Sequence, residues 1–159
     1  MHCIRRRHAF SLPSFAALSL TLLVSSLTPS LAQAREFVSI KNNSVNVRDK
    51  PNTRAPIQWE LSKGYPLQVT QKQGQWLRVK DHESTLGWVH SPLTNKTPHM
   101  VVKASSANMR SGPWQNYRLV RKLDQGDILS TLQKQNGWTK VKREGGQTGW
   151  VAQNLLWGW

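Results

Sequence analysis

Tryptophan and cations alternate in two short runs of this chain. Trp76, Arg78 and Lys80 occupy every second position with Leu77 and Val79 between them, and Trp138, Lys140 and Lys142 repeat the spacing around Thr139 and Val141. Successive side chains of an extended strand leave opposite faces, so each set shares one face. If the aliphatic set faces a core, the indoles and cations face outward. An indole stacks on a sugar ring or on acetamido and methyl groups, while a guanidinium or ammonium meets a carboxylate. This is the chemistry of recognition, and it breaks no bond. The alternative for the indoles is to close a thin core. Trp88 and Trp150, each set between Gly and Val, fit that structural role better.

Two further tryptophans, Trp59 and Trp114, are expected at the surface or between domains, because a core role would have been kept in both halves of the duplication described below. Arg48 and Arg110 each precede a turn-rich stretch. The planar fork of Arg suits either fixing such a loop through backbone carbonyls or clamping a carboxylate or phosphate. The closing Trp157-Gly158-Trp159 can pack back between domains or protrude as an aromatic tail.

Catalysis has little to stand on. The single cysteine, Cys3, precedes the apolar leader, so processing would remove any thiol nucleophile. His82, His90 and His99 lack the H-E-x-x-H spacing of a zinc site, and Asp81-His82-Glu83 falls in an expected hairpin turn. No G-x-S-x-G, phosphate loop or isolated pair of acids is present. Neither metal nor cofactor is expected, and the chain reads as non-catalytic.

The first 34 residues follow the grammar of a secretory signal peptide. Arg5, Arg6 and Arg7 make a positive start, Phe15 to Leu27 is apolar but diluted by Ser and Thr, and Ala32-Gln33-Ala34 supplies a small-x-small cleavage pattern. The cut is expected after Ala34, giving a periplasmic or secreted protein. The apolar run falls short of the roughly 18 residues of a spanning helix, so no retained transmembrane helix is expected. The whole chain carries 22 Lys and Arg against 8 Asp and Glu, a formal net +14, and loss of Arg5 to Arg7 leaves +11. Such a balance points to an anionic partner. Export makes nucleic acid the least expected of these.

The elements that must position the tryptophans come in duplicate. Val45-Asn46-Val47-Arg48 recurs as Ala107-Asn108-Met109-Arg110, Leu61 and Gly64 as Leu123 and Gly126, Trp76 as Trp138, and Gly87-Trp88-Val89 as Gly149-Trp150-Val151, always 62 residues later. The local pattern is alternating strand and turn with almost no helical period. Gly, Pro and Asn punctuate it at Asp49 to Asn52, Lys63 to Pro66, Gln73 to Gln75 and Asp81 to Gly87, and again one repeat later. Short strands spaced this way suggest an all-β fold of two small closed barrels, residues 35–94 and 95–159. Ser91 to Lys103 reads as a linker merging into the second copy. Each barrel is near the small end of what folds unaided, which suggests that the copies lean on one another.

The opening (V/A)-N-(V/M)-R-x-x-P, the central L-x-x-G, the tryptophan strand and the closing G-W-V followed by Leu resemble the bacterial SH3-like domain, in the family's order and over nearly all of both repeats. More narrowly, Arg-Glu-Phe-Val-Ser-Ile and Asn-Leu-Leu-Trp-Gly resemble exported tandem SH3-like proteins of Gram-negative bacteria. The second copy departs from the pattern at Ala107, Met109 and Thr139, which bears on packing rather than on fold. The resemblance implies a barrel of five to seven strands with a long loop after the first, and related domains often anchor enzymes to peptidoglycan. Three functions remain open: binding peptidoglycan or another anionic envelope polymer, binding an exported protein through aromatic grooves, and general polyanion binding.

Overall fold

The computed structural model describes residues 35–159, so the leader expected over residues 1–34 and its cleavage site lie outside the described residues. The described chain is built of strands: β1 (Phe37–Ile40), β2 (Val45–Arg48), β3 (Ile57–Leu61), β4 (Pro66–Gln73), β5 (Trp76–Lys80), β6 (Leu86–His90) and β7 (Thr94–Asn95), then β8 (His99–Val102), β9 (Ser106–Arg110), β10 (Leu119–Asp124), β11 (Ile128–Gln135), β12 (Trp138–Lys142), β13 (Thr148–Ala152) and β14 (Leu156–Gly158). They form two seven-stranded sheets of one topology, β3-β2-β6-β5-β4-β1-β7 and β10-β9-β13-β12-β11-β8-β14. Every strand pairing in both sheets is antiparallel.

Alternation decides which residues enter each core. Val45 and Val47 are buried while Asn46 and Arg48 are not, and Leu77 and Val79 are buried between Trp76, Arg78 and Lys80. The two cores match position for position at the repeat offset: Val38 with Met100, Ile40 with Val102, Val47 with Met109, Leu61 with Leu123, Leu67 with Leu129, Val79 with Val141 and Val89 with Val151. Even the register shifts recur, between Val69 and Gln71 in β4 and between Thr131 and Gln133 in β11. Burial of these side chains, at about 25 cal/mol per Å² of apolar surface, is the main favourable contribution to folding. Gly87 and Gly149 sit where a sheet passes over its core. A Cβ on Gly149 would lie 2.5 Å from Met109 Cγ, and one on Gly87 would meet Val47 Cγ1.

The second core is less apolar than the first. Thr139 takes the place of Leu77, is fully buried, and its hydroxyl has no hydrogen-bond partner. Thr131 takes the place of Val69 with its hydroxyl equally unpartnered.

The segment expected as a linker is mostly structured. Ser91–Leu93 forms a 3₁₀ turn with Pro92 in its first turn, where a missing N–H costs nothing, and Thr94–Asn95 pairs with β1 to close the first sheet. The first sheet thus ends one residue past the expected division at residue 94, and only Lys96 to Pro98 joins the barrels.

The described residues form one compact unit. At the junction, β1 is buried on both faces: Val38 and Ile40 enter the first core, while Phe37 and Ser39 turn toward the second barrel. Ser39 Oγ donates to Thr97 O at 2.7 Å and accepts from Trp159 Nε1 at 3.3 Å, and His99 Nδ1 lies 3.2 Å away. Phe37 meets Trp157 edge to face with centroids 5.2 Å apart. The aromatic tail therefore packs back between the barrels.

Candidate functional site

Strand pairing lays one row of side chains across the outer face of each barrel. In the first it runs Ile57, Arg48, Trp88, Arg78 and Gln71 from β3 to β4. In the second it runs Leu119, Arg110, Trp150, Lys140 and Gln133 from β10 to β11. Trp88 and Trp150 therefore leave their sheets on the face opposite Val89 and Val151, flanked by cations in directly paired strands, yet Trp88 is half-buried and Trp150 only 8% exposed, in keeping with the structural role expected of them.

Arg48 and Arg110 perform the same local task. Arg48 Nη1 donates to the carbonyl of Ala55 and Arg110 Nη1 to that of Tyr117 at 2.9 Å, and these acceptors are one repeat apart. Each guanidinium thus ties the long loop after the first repeat strand back to its own strand. Backbone hydrogen bonds from Asp49 N–H to Pro56 O at 3.3 Å and from Ser111 N–H to Arg118 O at 3.0 Å close the same loops at their bases.

Trp76 is half-buried and its ring lies 5.2 Å from that of His90, whose Nε2 is 3.1 Å from Gln75 Oε1. Arg78 is exposed and Lys80 half-buried on the same face. In the second barrel Lys140 is half-buried and Lys142 exposed. Trp138 departs from the expectation of an outward indole, being only 8% exposed. Alternation fixes the face a side chain leaves from, not what lies over it.

Trp59 also departs from expectation. It packs against the first core, its ring edge 2.9 Å from where a Cβ on Gly87 would stand, and its Nε1 is buried without a partner. The position one repeat later is Arg121, and two other residues compensate for the lost indole. Met109, longer than Val47, brings its Sδ to 3.2 Å from the equivalent point at Gly149, and Val120 packs on the second core. A core role was not kept by a like residue because neighbouring residues took over the volume.

Trp114 is 59% exposed and shares a surface depression with Pro113, Asn116 and Tyr117, itself 47% exposed. Tyr117 lies against Gly112 so closely that a Cβ there would fall 2.5 Å from the ring. The first barrel carries Lys50, Asn52 and Ala55 at the positions of Gly112, Trp114 and Tyr117. One loop has been rebuilt to hold two outward aromatics, and the other has not. Tyr117 and Gly112 escape a reading that looks for what the repeats share. Their signal is the difference between copies at otherwise constant register.

The first barrel ties its own hairpin instead. Tyr65 and His82 share a hydrogen bond of 2.6 Å between Oη and Nδ1, and Asp81 Oδ1 accepts from the backbone N–H groups of Glu83 and Thr85. Burial pushes the Tyr65 phenol well above its ordinary value, with the charges of Asp81 and Glu83 adding to the effect. Elsewhere the Lys72 hydrogen bond holds Glu36 below the usual carboxylate value, with the charges of Lys72 and Lys96 contributing and partial desolvation opposing. Among the described residues no three His, Asp or Glu side chains gather closely enough to hold a metal ion.

Comparison with known proteins gives this geometry a setting. The chain is 28% identical over 156 residues to the Bacillus subtilis (strain 168) protein named "Putative N-acetylmuramoyl-L-alanine amidase YrvJ", a match covering 89% of this chain and 30% of that protein. It thus spans under a third of that relative. Among solved structures it is similar to NlpC2 from Trichomonas vaginalis, at 14% identity and a TM-score of 0.37, with 79% of this chain and 48% of that one covered. It is similar too to an NlpC/P60 family protein from Bacillus cereus ATCC 10987, at 13% identity and 0.37, covering 77% and 56%. Residues 41–96 match one model described as a bacterial SH3 domain and residues 105–156 match a second of the same description. Both repeats being so matched, the chain belongs to the bacterial SH3 domain family and carries two such domains in tandem.

Proposed function

We propose that this protein is an exported, non-catalytic binding module of the cell envelope that recognises peptidoglycan. The observation that carries this reading is the aromatic pair Trp114 and Tyr117, held outward on a loop fixed by Arg110 and accommodated by Gly112. Two adjacent exposed rings on a rigid loop form a stacking platform for glycan or its acetamido groups, and rigidity lowers the entropy cost of binding. The outward cations Arg78, Lys80, Lys140 and Lys142 supply attraction to wall carboxylates. The family and the amidase relative support the same setting, and two barrels in one body raise avidity through effective concentration.

Adsorption to purified, insoluble peptidoglycan at low salt and at about 0.5 M salt tests the reading, since charge attraction alone is screened at the higher value. Retention in salt is the expected result. Loss in salt reduces the protein to a polyanion binder, and absence of adsorption at both salts overturns the reading in favour of a protein partner.

A further inference from the structure

The two barrels enclose a cleft of about 690 Å³ that no repeat possesses alone. Its volume falls within the roughly 300–1,000 Å³ of small-ligand sites. Its base is the contact between barrels, where a Cβ on Gly64 would lie 3.1 Å from both Ile128 Cγ2 and His99 Cδ2. Lys63 comes from the first barrel; Asp127, Lys142, Arg143 and Glu144 come from the second. None of these five charges has an ion-pair partner within 4.0 Å among the described residues.

The two acids occupy telling positions. Asp127 is the repeat counterpart of Tyr65 and Glu144 that of His82, the pair whose hydrogen bond closes the hairpin of the first barrel. Two carboxylates cannot make that closure, because like charges repel and neither offers a proton. The second hairpin instead turns through Gly145 and Gly146, both at positive φ with open space where a Cβ would stand. Asp127 Oδ2 accepts one backbone N–H, from Asp124 at 3.2 Å, and its carboxylate keeps further acceptor capacity.

We propose that this cleft binds a zwitterionic peptide, Asp127 and Glu144 holding a free ammonium while Lys63, Lys142 and Arg143 hold its carboxylates. The inference rests on the wall-binding reading in that the peptide part of a wall polymer carries both groups. Charges that line one cleft add their fields on a ligand seated in it. A site of mixed sign also discriminates against plain polyanions, which its acids repel.

The sign of one variant's effect separates this site from simple charge attraction. The purified protein is titrated, with affinity measured by calorimetry, with a soluble tetrapeptide bearing a free amine and two free carboxylates, and with the same peptide N-acetylated. Asp127→Asn with Glu144→Gln, and separately Lys63→Gln on the opposite barrel, should each weaken binding of the free peptide by about tenfold, as should acetylation. Tighter binding by the acid-neutralised variant, indifference to acetylation, or no binding of the free peptide overturns the proposal. Asn at residue 127 retains an oxygen acceptor for the Asp124 N–H, and backbone amide spectra confirm the fold of each variant. Peptide binding without adsorption to whole peptidoglycan would sink the wall-binding reading and leave the cleft site standing; adsorption without peptide binding would do the reverse.

Discussion

At the scale of single residues, the two copies show how a packed volume can be kept while its chemistry changes. Val47 and Trp59 fill a space in the first barrel that Met109 and Val120 fill in the second. Thr139 is a less complete replacement, since its buried hydroxyl lacks a partner. Thr139→Val removes that unsatisfied group at constant shape, and should stabilise the protein by about 1 kcal/mol, read as a higher denaturant midpoint at unchanged slope. A lower midpoint would mean that the hydroxyl has a partner in solution. Trp59→Ala should cost roughly 2 kcal/mol, less than a fully buried Trp because the side chain is only half-buried, and wall adsorption should survive it. Neither outcome was legible in the sequence, because the period of two assigns faces and leaves the cover over each face undetermined.

At the scale of elements, the likeness of the two copies in strand order, register and even register shifts followed from the constant offset, since two runs of the same alternation must bury the same faces, whereas the strand order itself did not. The hairpins and loops did not follow, because there the copies diverge. In the first barrel the burial of the Tyr65 phenol gives the fold an alkaline weakness. Tyr65 stays protonated when folded, whereas a free phenol ionises near 10, so above about pH 10 the unfolded chain gains a favourable ionisation that the folded one resists. Stability should thus be full below that pH and fall as pH rises beyond it. Tyr65→Phe should flatten this decline while lowering stability at neutral pH through loss of the hydrogen bond to His82. Denaturation midpoints collected from about pH 8 to 11 would show it, and an unchanged alkaline slope in the variant would assign the decline to other groups.

At the scale of the whole molecule, duplication has produced two barrels with one fold and separate surfaces. The junction through Ser39, His99, Trp157 and Trp159 joins them, so the cleft and the Trp114–Tyr117 loop belong to one compact unit. The sequence pointed to Trp114 through its lack of a counterpart, and missed Tyr117 and the cleft because both depend on three-dimensional neighbours rather than on spacing. It also pointed to Trp138, whose burial makes it a poor target for testing surface binding. The exposed pair on the second barrel is the more direct one. The decisive measurement is adsorption of the Trp114→Ala, Tyr117→Ala double variant to purified peptidoglycan at about 0.5 M salt, with its fold checked by amide spectra. Wall recognition through the aromatic loop predicts that adsorption falls by about tenfold or more while stability is nearly unchanged, since both rings are already exposed. Adsorption equal to that of the unaltered protein would contradict it.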